Sequence, residues 1–233
     1  MTRKSSKRYQ EAAKQVSEEA VSVQEAVKIL KAFPSAKFDE SIEVSFQLGI
    51  DPKQSAQVVR GTVSLPHGTG KSVKVLVFCR GEAEREAQEA GADYVGADEL
   101  INKVAGGWTD FDVVVAHPNV MKEISKLGKI LGPRGLMPSP KVGTVTQDVG
   151  KAVREVKKGK IEFKSDKTGG LHVACGKVSF AEEKLVDNIK IVIKTILDNK
   201  PSSAKGTYIH NVAVSTSMGP GVAVNVHTMV EKK

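Results

Sequence analysis

The chain has 233 residues, enough for one large domain or two small ones, and its 40% hydrophobic and 27% charged residues allow a packed core and exclude a disordered chain. Lys and Arg outnumber Asp and Glu by 35 to 27, a net charge of +8 that favours a polyanionic partner without specifying one. No run of about 18 apolar residues occurs, and the opening MTRKSSKRYQEAAKQ lacks the apolar stretch of a secretory signal, so a cytoplasmic protein with no membrane span is expected.

Residues 1–66 read as helix, helix, strand. The opening is basic, with Arg3, Lys4, Lys7, Arg8 and Lys14 meeting only Glu11. Ser22 and Glu25 form a capping box ahead of Val23, Ala26, Val27 and Leu30, an apolar stripe at helical spacing. Ile42, Val44, Phe46, Leu48 and Ile50 alternate with polar residues, the period of a strand with one wet face, which needs partners from elsewhere in the chain.

From residue 73 the pattern changes. VKVLVFC is continuous enough in apolar residues to be a strand covered on both faces. A charged helix around EAEREAQEAGA, a short segment Asp93 to Gly96, a helix near 97–105 and a second buried strand, FDVVVAH, follow. Pro118 opens a helix carrying Met121, Ile124 and Leu127; residues 128–145 read as a Gly/Pro loop, and a basic helix spans 148–158. Strands alternating with helices predict a small parallel, Rossmann-like sheet.

After Gly159 an antiparallel pattern returns. KIEFKS and GLHVACG flank a DKTG turn, Ser179 is placed to cap a long helix with Leu185, Ile189, Ile193 and Ile196 on one face, and two strands surround TSMGPG. Neither flank holds enough strands to bury a sheet alone. Together they predict a discontinuous α+β domain, 1–66 with 160–233, built on a five-stranded antiparallel sheet with helices on one side. The α/β segment 67–159 is then an insertion, entered and left through linkers near 61–72 and 157–160, the geometry of a hinge.

The motifs divide into those that fail and those that suggest a partner. HGTGKS at 67–72 resembles the end of a phosphate-cradling loop, but Leu65 stands where that pattern needs glycine, and the lysine precedes a strand instead of opening a helix. A dinucleotide fingerprint fails at Val73. Cys79 and Cys175 lie in apolar strand-like runs and read as buried, reduced thiols; with no CxxC, HExxH or histidine cluster, neither a metal nor any other cofactor is expected. His67, His117, His172, His210 and His227 are scattered, with no nucleophile at a telling spacing, so catalysis has no support. The run Glu82, Glu84, Glu86, Glu89 is a solvated face that should point away from a polyanion.

The C-terminal section suits RNA. No acidic residue occurs from Asn199 to Val230, and the turn 216–221 offers hydroxyls, a thioether and glycines that bring backbone close to a ligand, a surface fitted to 2′-hydroxyls. Its ordinary reading is a hairpin turn. Residues 151–167 carry seven basic residues against three acidic, and Lys37 precedes Phe38; these could hold phosphates while the turn reads shape. Gly219 is expected to need a positive φ or a close backbone approach. Phe38 is an isolated aromatic just before a strand, more often a core residue than a contact, and the residues themselves do not separate the two.

VRGTVSLPHGTGK at 59–71, GKILGPRGLMPSPKVGTV at 128–145, SDKTGGLHVACGK at 165–177 and TSMGPGVAV at 216–224 resemble, in order, segments of the L-one family of large-subunit ribosomal proteins, found at the mobile stalk beside the tRNA exit site. The resemblance covers essentially the whole chain. It implies a non-enzymatic protein of the large ribosomal subunit whose discontinuous domain binds the rRNA stalk through Lys37, Phe38, Thr168, Ser217, Met218 and Gly219, with Pro220 shaping the turn. It also implies an insertion that swings as deacylated tRNA leaves the exit site, repression of translation through the chain's own operon mRNA leader, and a monomer when free. Many relatives have Thr at position 217 and Asn at 139, where this chain has Ser; the first change keeps the hydroxyl and the second falls in a loop expected to pack between domains.

Overall fold

The structure is a computed structural model, describing residues 6–17, 19–34, 36–54, 57–204 and 206–226. In chain order the elements are α1 (Lys7–Ala13), α2 (Val23–Ala32), β1 (Ser41–Leu48), β2 (Arg60–Ser64), β3 (Val75–Phe78), α3 (Glu82–Glu89), β4 (Tyr94–Gly96), α4 (Asp98–Ala105), β5 (Val113–Ala116), α5 (Met121–Ile124), α6 (Gly128–Leu131), α7 (Val149–Lys157), β6 (Lys160–Lys164), β7 (Gly170–Lys177), α8 (Glu182–Asp198), β8 (Ile209–Thr216) and β9 (Gly221–Ala223). They form two compact units. One runs to Gly70 and resumes at Glu162, and the other is Lys71–Ile161.

The first unit is built on a four-stranded sheet in the order β7-β1-β8-β9, whose pairings β1–β7, β1–β8 and β8–β9 are all antiparallel. Alternation in β1 sends Ile42, Val44, Phe46 and Leu48 to one face, where each is fully buried, and leaves the opposite face wetter. Val27 and Leu30 of α2 and Leu185, Ile189, Val192, Ile193 and Ile196 of α8 complete that core, and the capping box of Ser22 and Glu25 starts α2 as its sequence requires.

Two local expectations fail here. The main sheet has four strands, not five, because β6, which leads into the turn at 166–169, pairs with β2 in a ribbon of its own. Val59 captures the end of β6, donating its N–H to Ser165 Oγ (3.1 Å) and accepting from Ser165 N–H (2.8 Å). Phe163 then lies over Gly61, where a Cβ would approach its ring to 2.8 Å. Nor does Ser179 cap α8: its N–H and hydroxyl donate to the Asp39 carboxylate (3.2 and 2.8 Å), while the N-cap is Ala181, with Glu182 and Glu183 facing the positive end of the helix dipole.

The second unit holds the parallel sheet, β4-β3-β5. Val75, Leu76, Val77, Phe78 and Cys79 are all completely buried because both faces are covered. Leu76, Phe78, Val114 and Ala116 face Leu100, Val104, Ile124, Leu127 and Leu131, while Val75, Val77, Cys79 and Val115 face Ala87, Val149, Val153 and Val156. The helix expected after Pro118 is broken, with single tight turns at Pro118–Val120 and Ser125–Leu127 around α5. Ser125 Oγ donates to Met121 O at 2.8 Å, a side-chain bond that competes with regular helix. Residues 128–145 are not loose: α6 opens them, Leu131 is buried, Leu136 and Met137 pack on this unit's own core, and Val145 bridges Ala116.

Candidate nucleic-acid interface

The turn from Ser217 to Pro220 joins β8 to β9 at the end of the sheet where β1 begins. Its backbone is held from two sides. Ser217 N–H donates to Ser41 O, and Ser41 N–H donates to Ser217 Oγ, both at 3.0 Å. Met218 N–H donates to Glu40 Oε2 at 2.9 Å, and Met218 O accepts from Arg8 Nη2 at 3.4 Å. Arg8 Nη1 lies 3.3 Å from Glu40 Oε1, so one ion pair grips both polar groups of the Met218 residue. Glu40 is 7% exposed and Met218 is 53% exposed. The main chain of the turn is thus fixed while the thioether side chain stands in solvent.

Of the two reasons for glycine at 219, a positive φ and a close backbone approach, the second applies: Gly219 has no positive φ. A Cβ there would lie 2.4 Å from Thr216 Oγ1 and 3.2 Å from the Phe33 ring. Pro220 is buried beneath the turn. Phe38 resolves as a surface residue, 56% exposed, two residues before Glu40, with Lys37 exposed beside it. Lys177 Nζ donates to Asp39 O (3.2 Å) and Ser41 Oγ (2.9 Å), adding a cation to the same rim.

Thr168 lies elsewhere. Its carbonyl accepts from Gln47 Nε2 at 3.1 Å, at the far end of β1 from Ser41, roughly 20 Å away at the strand rise per residue. Its hydroxyl and N–H donate to the Asp166 carboxylate (2.7 to 2.9 Å), which also accepts from Gly170 N–H; these bonds hold the Asp166 carboxyl below its ordinary pKa. The structure therefore gathers Lys37, Phe38, Ser217, Met218, Gly219 and Pro220 and leaves Thr168 apart. Sequence reasoning missed Arg8 and Glu40, 32 residues apart, because no spacing rule links them.

Elsewhere the chemistry is closed. Lys71 pairs with Asp112, and the HGTG segment is tied to α8 by buried Asn188, which accepts from His67 N–H (3.3 Å) and donates to Gly68 O (3.0 Å) and Cys175 O (2.8 Å). At the carboxyl ends of β3 and β5, where a nucleotide would sit in such a sheet, Arg80 Nη2 is spent on Asp98 (2.6 Å) and Glu123 (2.9 Å). The helices beginning there, α3 and α4, open with Glu82, Glu84, Asp98 and Glu99, which repel phosphate. Ser45 Oγ is 3.0 Å from His172 Nδ1, an exposed pair across β1 and β7. Burial pushes the thiols of Cys79 and Cys175 up to about 11 and about 12, leaving both protonated and unreactive at neutral pH. No metal-binding cluster occurs among the described residues, and His227 lies outside them. No helix among those residues is long and apolar enough to cross a membrane.

The sequence pattern of the ribosomal protein L1p/L10e family matches residues 30–220, which takes in both units and the turn at 217–220. The chain belongs to this family. The large ribosomal subunit protein uL1 of Kosmotoga olearia is 56% identical over 229 residues, 98% of this chain and 99% of its own length. The protein of the same name from Protochlamydia amoebophila is 55% identical over 222 residues, 95% of this chain and 94% of its own. Membership in the L1p/L10e family makes the chain a structural ribosomal protein and not an enzyme. The matched span begins after Arg8, so the ion pair that grips Met218 has one partner inside the family pattern and one outside it.

Proposed function

We propose that the chain is a constituent of the large ribosomal subunit that binds the rRNA of the mobile stalk through the rim formed by Lys37, Phe38, Ser217, Met218, Gly219 and Pro220. Thr168 meets a separate part of the same RNA. The observation that carries this reading is Met218. A large apolar side chain left more than half exposed, on a turn whose own N–H and C=O are both engaged, offers apolar surface to a partner outside the chain. RNA supplies what such a rim lacks: the apolar face of a ribose or base for Met218 and Phe38, a 2′-hydroxyl for the turn, and phosphates for Lys37 and Lys177.

The unit Lys71–Ile161 then travels with the stalk and assists release of deacylated tRNA from the exit site. An mRNA leader that imitates the rRNA site would occupy the same rim, so that free protein represses its own operon. The test is a filter-binding titration of Met218→Asp against a stalk fragment of large-subunit rRNA, beside a thermal melt. The carboxylate would face phosphates with no donor to offset it, and affinity falls by about 2 kcal/mol or more with the fold intact. Wild-type affinity in a folded variant would show that the turn is only a turn.

A further inference from the structure

The rim holds a third large apolar side chain that the proposed contact set does not include. Among the described residues, the exposed large hydrophobics are Tyr9, Phe38 and Met218, with Tyr9 at 39%. Two of them meet at Glu40: Tyr9 and Met218 line one shallow crevice with Arg8, Glu40 and Gly219, while Phe38 precedes Glu40 by two residues in the chain. An aromatic residue on a helix as short as α1 ordinarily serves to dock that helix. Here Ala12 is the buried residue of α1, and Arg8 ties the helix to Glu40 and to Met218 O. The Tyr9 ring is left partly in solvent along the crevice.

An aromatic face bordered by cations fits RNA better than it fits a protein surface. Bases and riboses stack on such rings, and exposed Lys7 on α1, exposed Lys37 before Phe38 and Lys177 on Ser41 supply cations for phosphates. We infer that α1 is part of the rRNA interface and that the Tyr9 ring stacks on a nucleotide beside the one covered by Met218. This inference rests on the rRNA-binding reading above.

The test titrates full-length Tyr9→Phe, Tyr9→Leu and Tyr9→Ala with the stalk rRNA fragment, each beside a thermal melt and beside Met218→Asp. Stacking predicts that Tyr9→Phe binds as wild type, while Tyr9→Leu and Tyr9→Ala weaken about tenfold with unchanged melts. Wild-type affinity of Tyr9→Ala overturns the inference. So does recovery of binding in Tyr9→Leu, because leucine keeps packing and loses stacking. If Met218→Asp weakens binding and Tyr9→Ala does not, this inference falls alone; if Met218→Asp binds as wild type, the underlying reading falls.

Discussion

One carboxylate determines where the Met218 side chain can go. Glu40 is nearly buried, and its two oxygens are divided between Arg8 and the Met218 N–H, so the turn is organised before any partner arrives. Gly219 is the other fixed point. Its backbone passes so close to Thr216 that a methyl group would meet the threonine hydroxyl, itself on a buried side chain that cannot swing away. Gly219→Ala should therefore lower stability by about 1 to 3 kcal/mol in the absence of any RNA. A urea titration reads this directly, and an unchanged midpoint would mean that the turn has room to give. The distinction matters for mutagenesis, because loss of binding in a Gly219 variant reports on the fold as much as on the contact, whereas Met218 reports on the contact.

At the scale of elements, α8 does more than cover the sheet. Asn188 is fully buried on it and satisfies the polar groups of two segments distant in sequence, the turn at 67–68 and β7. Asn188→Leu removes the amide from the buried Cys175 carbonyl and from the part-buried His67 N–H and Gly68 carbonyl; a loss of about 1 to 3 kcal/mol is expected in a melt, and a near-neutral result would mean that water replaces the amide. In the second unit, Asp93 accepts from Val75 N–H and pairs with Lys157, and Asp112 pairs with Lys71 and accepts from Lys74 N–H. Both carboxyls lie below their ordinary pKa of 3.8, Asp93 chiefly through the Val75 N–H and Asp112 chiefly through Lys71. A depressed folded pKa means stability that is present above the unfolded value and lost as pH falls through the folded one. The second unit should therefore weaken below pH of about 4, and Asp93→Asn with Asp112→Asn should flatten that fall in an acid series of melts.

The elements also differ in how openly the sequence declares them. Ile42 to Leu48 and Val75 to Cys79 are legible because burial on one face imposes alternation and burial on two imposes an unbroken apolar run. The ribbon of β2 and β6 is not, because what takes β6 out of the main sheet is Val59 bonding to Ser165, 106 residues away. The capping box of Ser22 and Glu25 is local and forms, whereas Ser179 is claimed by Asp39 from a distant segment and never caps α8. The same rule applies at the rim. TSMGPG is recognisable as a turn from six adjacent residues, but its orientation depends on Arg8 and Glu40, which no motif connects.

On the scale of the whole molecule, the two units are chemically unlike. The first carries an open rim with cations beside exposed Phe38 and Met218, while the second spends Arg80, Lys71, Lys74 and Lys157 on its own carboxylates and presents Glu82, Glu86 and Glu89 to solvent. A polyanion is attracted to the first and not to the helices α3 and α4 of the second. The chain crosses between them near Gly70 and near Ile161, and Gly70 packs against Phe180 so tightly that a cut before it would disturb the first unit. Residues 1–70 joined to 160–233 by a short linker keep both Gly70 and the whole of β6 with its partner β2.

The most direct measurement is a hydroxyl-radical footprint on large-subunit rRNA with three proteins side by side: the full chain, the chain lacking 71–159 rejoined by a short linker, and full-length Met218→Asp. The account predicts one set of protected stalk nucleotides shared by the first two and lost in the third. Protection that disappears when 71–159 is removed and survives Met218→Asp would place the RNA site on the second unit and contradict the account.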